Sequence, residues 1–236
     1  ARRDGRFACC ARNLRTGATA WYERPVYTVA PDGRFALSLN FARLARLRPG
    51  YGHEGVPDPW ADRNAPEEDG IYRLDFDSGR SRLILSLADL ARLGTAKAYA
   101  RVPHWVNHLL IAPDGRRFAF LHRWRQPGTT DGRMHQFLAA DPDGRNVRLL
   151  NDGRLTSHFI WRDARTLLAW ADIEGTGPHY YLVADADADA PAPRAVGVTA
   201  LAEDGHMSYR PGGAGWFVSD TYPAQLQVLL RQQLGD

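Results

Sequence analysis

HLLIAPDGRRFAFLH, residues 108–122, sets two apolar runs around a Pro-Asp-Gly turn, and this stretch decides the fold. Pro113 presets φ at the first corner and Gly115 accepts a positive φ, so the runs return antiparallel as a hairpin with a short loop. The same unit stands at Val26–Asn40 (VYTVAPDGRFALSLN), and in degenerate form at His158–Asp172 (HFIWRDARTLLAWAD) and His206–Asp220 (HMSYRPGGAGWFVSD). First and last residues are 14 apart in every copy, and the copies after His108 begin 50 and 48 residues later.

A second hairpin follows each of the first three units: IYRLDFDSGRSRLILSL (71–87), MHQFLAADPDGRNVRLLN (134–151) and HYYLVADADADAPAPRAVGV (179–198). Four strands in a repeat of about 40 to 50 residues is the pattern of a propeller blade. The predicted fold class is therefore all-β, a β-propeller of four-stranded antiparallel blades in an incomplete ring of about four to five blades. One propeller domain is expected over 1–236. It comprises a partial blade at 1–22, a blade at 23–95 with an insertion at 42–69, blades at 103–151 and 155–199, and an incomplete blade at 203–236 ending in QLQVLLRQ. The insertion contains RPGYGHEGVPDPW, and Gly/Pro-rich loops of that length are usually functional or disordered. A helix is expected only at Leu87–Leu93, and ADADADAPAP (184–193) reads as a solvated hairpin loop. The chain begins without Met and in mid-strand, so a processed or truncated piece is expected, with part of the ring missing and the compartment open.

With 44% hydrophobic and 11% aromatic residues the composition is that of a soluble globular chain. No apolar run approaches the roughly 18 residues of a membrane span. The formal charge is +3, and Lys97 is the only lysine among 30 basic residues. Arginine at this level reflects either codon bias or a surface that forks onto carboxylates or sulfates. The arginines are interspersed with acids, which does not describe a nucleic-acid-binding stripe. Scarcity of lysine leaves His, Tyr or a carboxylate as the available general bases. Cys9 and Cys10 are adjacent, so on a strand they point to opposite faces and neither bridge nor clip a metal.

In a blade, the start of the first strand and the end of the second emerge near the axis on one face. The 14-residue spacing then brings four pairs to that mouth: Val26 with Asn40, His108 with His122, His158 with Asp172, and His206 with Asp220. A lone histidine there is usually structural, bonded to a neighbouring loop, and a strand-end Asp often caps a turn. Three histidines in one register favour a shared site. His104, His135 and His179 lie off the register and read as surface or packing residues, whereas His53 could fold over the mouth from the insertion. Imidazoles with carboxylates make either a divalent-metal cage or a proton donor and acceptor pair near neutral pH. Arg123, Arg125, Tyr209, Arg210 and Tyr222 stand near the same mouth, and Trp105, Trp124, Trp161 and Trp216 read as core. HExxH, a serine elbow, a P-loop and a dinucleotide fingerprint are all missing from the sequence.

NHLLIAPDGRRFAFLHRWR (107–125), SHFIW (157–161) and DGHMSYRPGGAGWFVSDTYP (204–223) resemble the propeller polysaccharide lyases of the oligogalacturonate-lyase and ulvan-lyase type, with their uncharacterised WD40-like relatives. The likeness extends over roughly residues 26–230. It implies β-elimination from a uronic-acid residue of an acidic polysaccharide or oligosaccharide, at the channel mouth of a periplasmic or secreted protein. His108 and His122 match the paired histidines of the ulvan-lyase pattern, with Arg123, Tyr209 and Tyr222 completing the implied catalytic set. His158 and His206 match the metal-ligand positions of the oligogalacturonate branch, and with Asp220 they would hold Mn, Ca or Zn. Where that branch shows a Gln and a further His, this chain has Asp204, His206 and Ser208. The competing expectation is a non-catalytic propeller that binds a glycan or a protein partner.

Overall fold

Each Pro-Asp-Gly turn closes a hairpin, and the hairpins assemble as sequential meanders. The computed structural model describes residues 1–130, 132–173, 175, 177–186, 191–199, 201–210 and 215–220, and the backbone of 230–233. Two short hairpins open the chain, β1 (Arg2–Arg3) with β2 (Arg6–Phe7) and β3 (Cys9–Arg12) with β4 (Thr19–Tyr22). The first four-stranded sheet is β5 (Thr28–Val29), β6 (Phe35–Leu39), β7 (Gly70–Asp75) and β8 (Ser81–Ser86). The second is β9 (His104–Ile111), β10 (Phe118–Arg125), β11 (Arg133–Ala140) and β12 (Arg148–Asp152). The third is β13 (Thr156–Trp161), β14 (Thr166–Asp172), β15 (Pro178–Ala184) and β16 (Arg194–Val196). A last sheet has three strands among the described residues, β17 (Met207–Tyr209), β18 (Trp216–Ser219) and β19 (Leu230–Gln233). Of QLQVLLRQ, residues 225–229 lie outside the described residues, as do 187–190 of the acidic loop.

Every pairing is antiparallel, and first strands of adjacent sheets lie side by side, β5 with β9 and β13 with β17. These sheets are propeller blades, and among the described residues they do not close into a ring. Side-chain alternation packs them. Phe118 and Phe120 of β10, with Ile111 of β9, face Leu37 and Leu39 of the first blade, whereas Ala119 and Leu121 face the third with Trp161, Leu167 and Ala169. Leu168, Trp170 and Tyr180 face the fourth blade with Phe217. Each fully buried large apolar side chain contributes about 1.5–3 kcal/mol.

The insertion departs from expectation. Besides the short α2 (Leu87–Leu90), a helix absent from the sequence reading, α1, spans Phe41–Leu47. Asn40 caps it by accepting from the Arg43 N–H at 3.0 Å, and its amide donates to Asp58 at 2.9 Å and Asp69 at 2.8 Å. Phe41, Leu44 and Leu47 pack into the core. Arg43, 1% exposed, binds the carbonyls of Trp60, Arg63 and Asn64 in the insertion and of His104 in β9, at 2.6–3.0 Å, and approaches Asp58 at 3.4 Å. One guanidinium therefore ties the insertion to the first strand of the second blade.

Arg43→Met would take one of two guanidiniums from the buried Asp58, which keeps Asn40 and Arg46, and would remove a donor from four carbonyls. A loss of about 1–3 kcal/mol is expected, read as a lowered urea midpoint with an unchanged m-value.

Candidate functional site

The strand pairing explains why His108 projects where it does. Leu110 pairs with Ala119 and Asn107 with Leu121, so His108 and Leu109 stand together against Phe120 in a bulge. The next blade repeats the device. Phe159 pairs with Ala169 and Thr156 with Ala171, which sets Ser157 and His158 against Trp170. Such two-for-one bulges bend a strand and re-aim a side chain. At His108 the backbone enters the left-handed region, φ +54°, a strained conformation for a residue with a side chain. Its N–H donates to the Tyr27 hydroxyl at 3.0 Å, which satisfies the donor that the bulge frees.

The bulges line up three histidines across three blades. The His108 and His158 rings are 6.4 Å apart, and those of His158 and His206 are 4.2 Å apart. They border a cleft of about 200 Å³ with Tyr27, Phe159 and Met207. His158 Nδ1 meets Asp204 Oδ1 at 3.0 Å, and His206 Nδ1 meets Asp220 Oδ2 at 2.9 Å. A carboxylate acceptor fixes the proton on Nδ1 in both rings. From the insertion, Tyr51 comes edge-on to His108 at 6.2 Å, with the Arg48 guanidinium 4.1 Å above its ring.

Burial holds His108 down at about 3, helped by the positive charges of Arg123 and Arg48, so its imidazole is neutral at ordinary pH. Arg123 is itself pushed down to about 9 by burial and then by Arg48 and Arg133. Its cross-strand neighbour His135 accepts from the Thr156 N–H at 2.6 Å through Nε2, and is held at about 3 by burial and by Arg123. Desolvation keeps the Tyr27 phenol protonated by raising its pKa.

Of the residues expected at the mouth, His108, His158, His206 and Asp220 come together, and Arg123 acts on His108 from behind. His122 does not reach them. The residue opposite it on β9 is Val106, and the ring is sealed within the second blade against His104, Nε2 to Nδ1 at 2.9 Å. His104 contacts the Tyr99 carbonyl at 3.0 Å, and His122 Nδ1 contacts Gln136 Oε1 at 3.3 Å. The Gln136 amide is oriented by donating to Leu93 and Asp152. Three contacts need three hydrogens and two neutral imidazoles carry two, which fits the longer contact to Gln136. Of the four expected pairs only His206–Asp220 touches, because Asp220 there stands opposite His206 in register. Asn40 instead caps α1, and Asp172 accepts from the Gly177 N–H.

Tyr209 is also elsewhere, packed on Phe217 with Arg162 and Asp163 as its charged neighbours, and burial raises its pKa. Tyr222 lies outside the described residues. His53 stacks on Phe41 at 4.3 Å and stays off the mouth. Tyr27, Arg48, Tyr51, Asp204 and His135 are the site residues that the repeat did not single out. Tyr27 directly follows Val26, the first blade's counterpart of His108, and that register was its one signal.

Among the described residues no group of three His, Cys, Asp or Glu converges on a point where a metal ion would sit. Asp204 and Asp220 orient their histidines through Nδ1, and His158, His206 and Asp220 do not form such a group among the described residues. Also among the described residues, no helix is long and apolar enough to cross a membrane.

No family model matches the chain, and no curated protein matches it. A solved structure does: the β-propeller domain of the trilobed protease from Pyrococcus furiosus, described as having an open velcro topology. It is 13% identical with a TM-score of 0.53, over 95% of this chain and 60% of that one. The fold is a β-propeller. At that identity the likeness extends to the fold alone, and the chain spans about 60% of the length of that structure.

His104, His108, His122 and His135 carry folded pKa values of about 3 to 4, against about 6.5 unfolded. Below pH 6.5 the unfolded chain therefore binds more protons, so stability is full above that pH and lost as pH falls towards 4. Each such histidine adds a slope approaching about 1.4 kcal/mol per pH unit. Melting temperature across pH 8 to 4 should fall on the acid side, and His122→Gln should flatten that fall.

Proposed function

We propose that this propeller binds an acidic polysaccharide or oligosaccharide at its mouth and cleaves it by β-elimination at a uronic-acid residue. The observation that carries the reading is a half-buried, neutral His108 held against Tyr27, with buried Arg123 acting on it. The neutral imidazole takes the C5 proton, while Arg123 stabilises the carboxylate as negative charge spreads into it. The C4–O bond breaks, C4=C5 forms, and the leaving oxygen takes a proton from the protonated Tyr27 hydroxyl. His158 and His206, oriented by Asp204 and Asp220, line the path of the neighbouring sugar. No step is routed through a metal.

The positions of His122 and Tyr209 favour a second reading, a propeller that binds a glycan or protein partner without chemistry. Two of the five expected catalytic side chains stand away from the cleft.

Incubation with polygalacturonate or ulvan should yield unsaturated product absorbance, and His108→Ala should lower the rate by about 100-fold or more. Binding without product on every uronate polymer, with or without Mn²⁺, Ca²⁺ or Zn²⁺, would leave the binding reading standing and remove the lyase.

A further inference from the structure

Around His108 stand side chains whose buried polar atoms have no hydrogen-bond partner, nearly all of them N–H donors. Arg123 is 4% exposed, yet its Nε and Nη1 have no hydrogen-bond partner, and neither do Nε and Nη1 of Arg48. His135 Nδ1 and the side-chain amide of Asn107 are buried and unpartnered as well. Since His135 Nε2 accepts from Thr156, its proton sits on Nδ1, the atom left without an acceptor. Asn107 and His135 are bound into the same sheet as Arg123, opposite Leu121 and Arg123 respectively.

Among the described residues no carboxylate is one of the groups that act most strongly on this charge. The groups that act most strongly on Arg123 are Arg48, Arg133, Tyr51 and Tyr27, and those acting on His135 are Arg123, Arg133 and Arg48. Two other arginines drawn out of solvent have acceptors: Arg43 has Asp58 and four carbonyls, and Arg117 has Asp141 and Asp185. Buried donors left unmade are costly, and two buried like charges are more so. Guanidinium forks match planar and tetrahedral oxyanions through paired N–H bonds.

We propose that Arg48 and Arg123, with His135 and Asn107, form a socket for one oxyanion, the carboxylate or sulfate group of an anionic saccharide. Arg48 is then a specificity-determining residue supplied by the insertion. The Tyr51 ring beneath its guanidinium holds it in place, and α1 ends immediately before it at Leu47. The assignment rests on the proposed acidic-saccharide reading only for the source of the anion. The socket itself follows from the donors.

Melting the full chain in sodium sulfate, in sodium glucuronate and in sodium chloride at matched ionic strength tests this. Sulfate or glucuronate should raise the melting temperature beyond chloride in a saturable way, and the stronger of the two arms identifies the oxyanion. Arg48→Gln alters a half-buried residue that is expected to fold, and it should weaken the affinity by about tenfold or more. Arg123→Gln should do the same or more. His108→Ala should keep the anion effect while losing elimination, so failure of the chemistry and failure of the socket read differently. No anion-specific shift in the wild-type chain, or one that Arg48→Gln leaves intact, overturns the proposal.

Discussion

The left-handed backbone at His108 is the constraint on which the mouth of this propeller depends. An extra residue in β9 bends the strand towards the axis, frees an N–H that Tyr27 caps, and turns an imidazole towards the cleft. The same two-for-one bulge in β13 brings His158 alongside. A regular ladder at either place would shift the side chains by one residue and send the histidine to the opposite face. Strain at His108 is stored where its neighbours over-determine it: Leu109 in the core, Tyr27 on the N–H, and Tyr51 against the ring.

The blades were legible in the sequence because their signal is local. A Pro-Asp-Gly turn between two apolar runs dictates a hairpin wherever it stands, and its recurrence dictates a ring-like array. The separation of His108 from His122 was not legible in the 14-residue spacing, since a bulge has no local sequence mark. A regular ladder would set His122 opposite Asn107, the extra residue in β9 moves it opposite Val106, and alternation along β10 keeps it on the face of Phe118 and Phe120. FARLARL was masked for a related reason. Its helical face emerges only once Asn40 caps it and buried Arg43 finds carbonyls spread over the insertion and β9. Arg48 and Tyr51 reach the mouth through that anchoring, which no repeat arithmetic encodes.

The site has two chemically different halves. His158 and His206 are carboxylate-oriented imidazoles at the cleft surface, with their Nδ1 protons fixed by Asp204 and Asp220. Half-buried His108 with buried Arg123 and His135 forms an inner half in which desolvation keeps imidazoles neutral and, among the described residues, no carboxylate is one of the groups that act most strongly on them. An anionic sugar bridging the halves would meet a neutral base, a phenol and fixed positive charge together. That combination suits removal of a proton next to a carboxylate, and the fold likeness to a protease's propeller domain neither adds to it nor subtracts from it.

The ionisation of His108 is the most direct measure of this account. Histidine ring nitrogen shifts, followed by NMR from pH 8 to pH 5 and assigned with a His108→Gln variant, should show His108 neutral over the whole range. A His108 ring that takes up its proton near pH 6.5 would mean that the bulge does not bury it among the arginines, and the account of the mouth would fail.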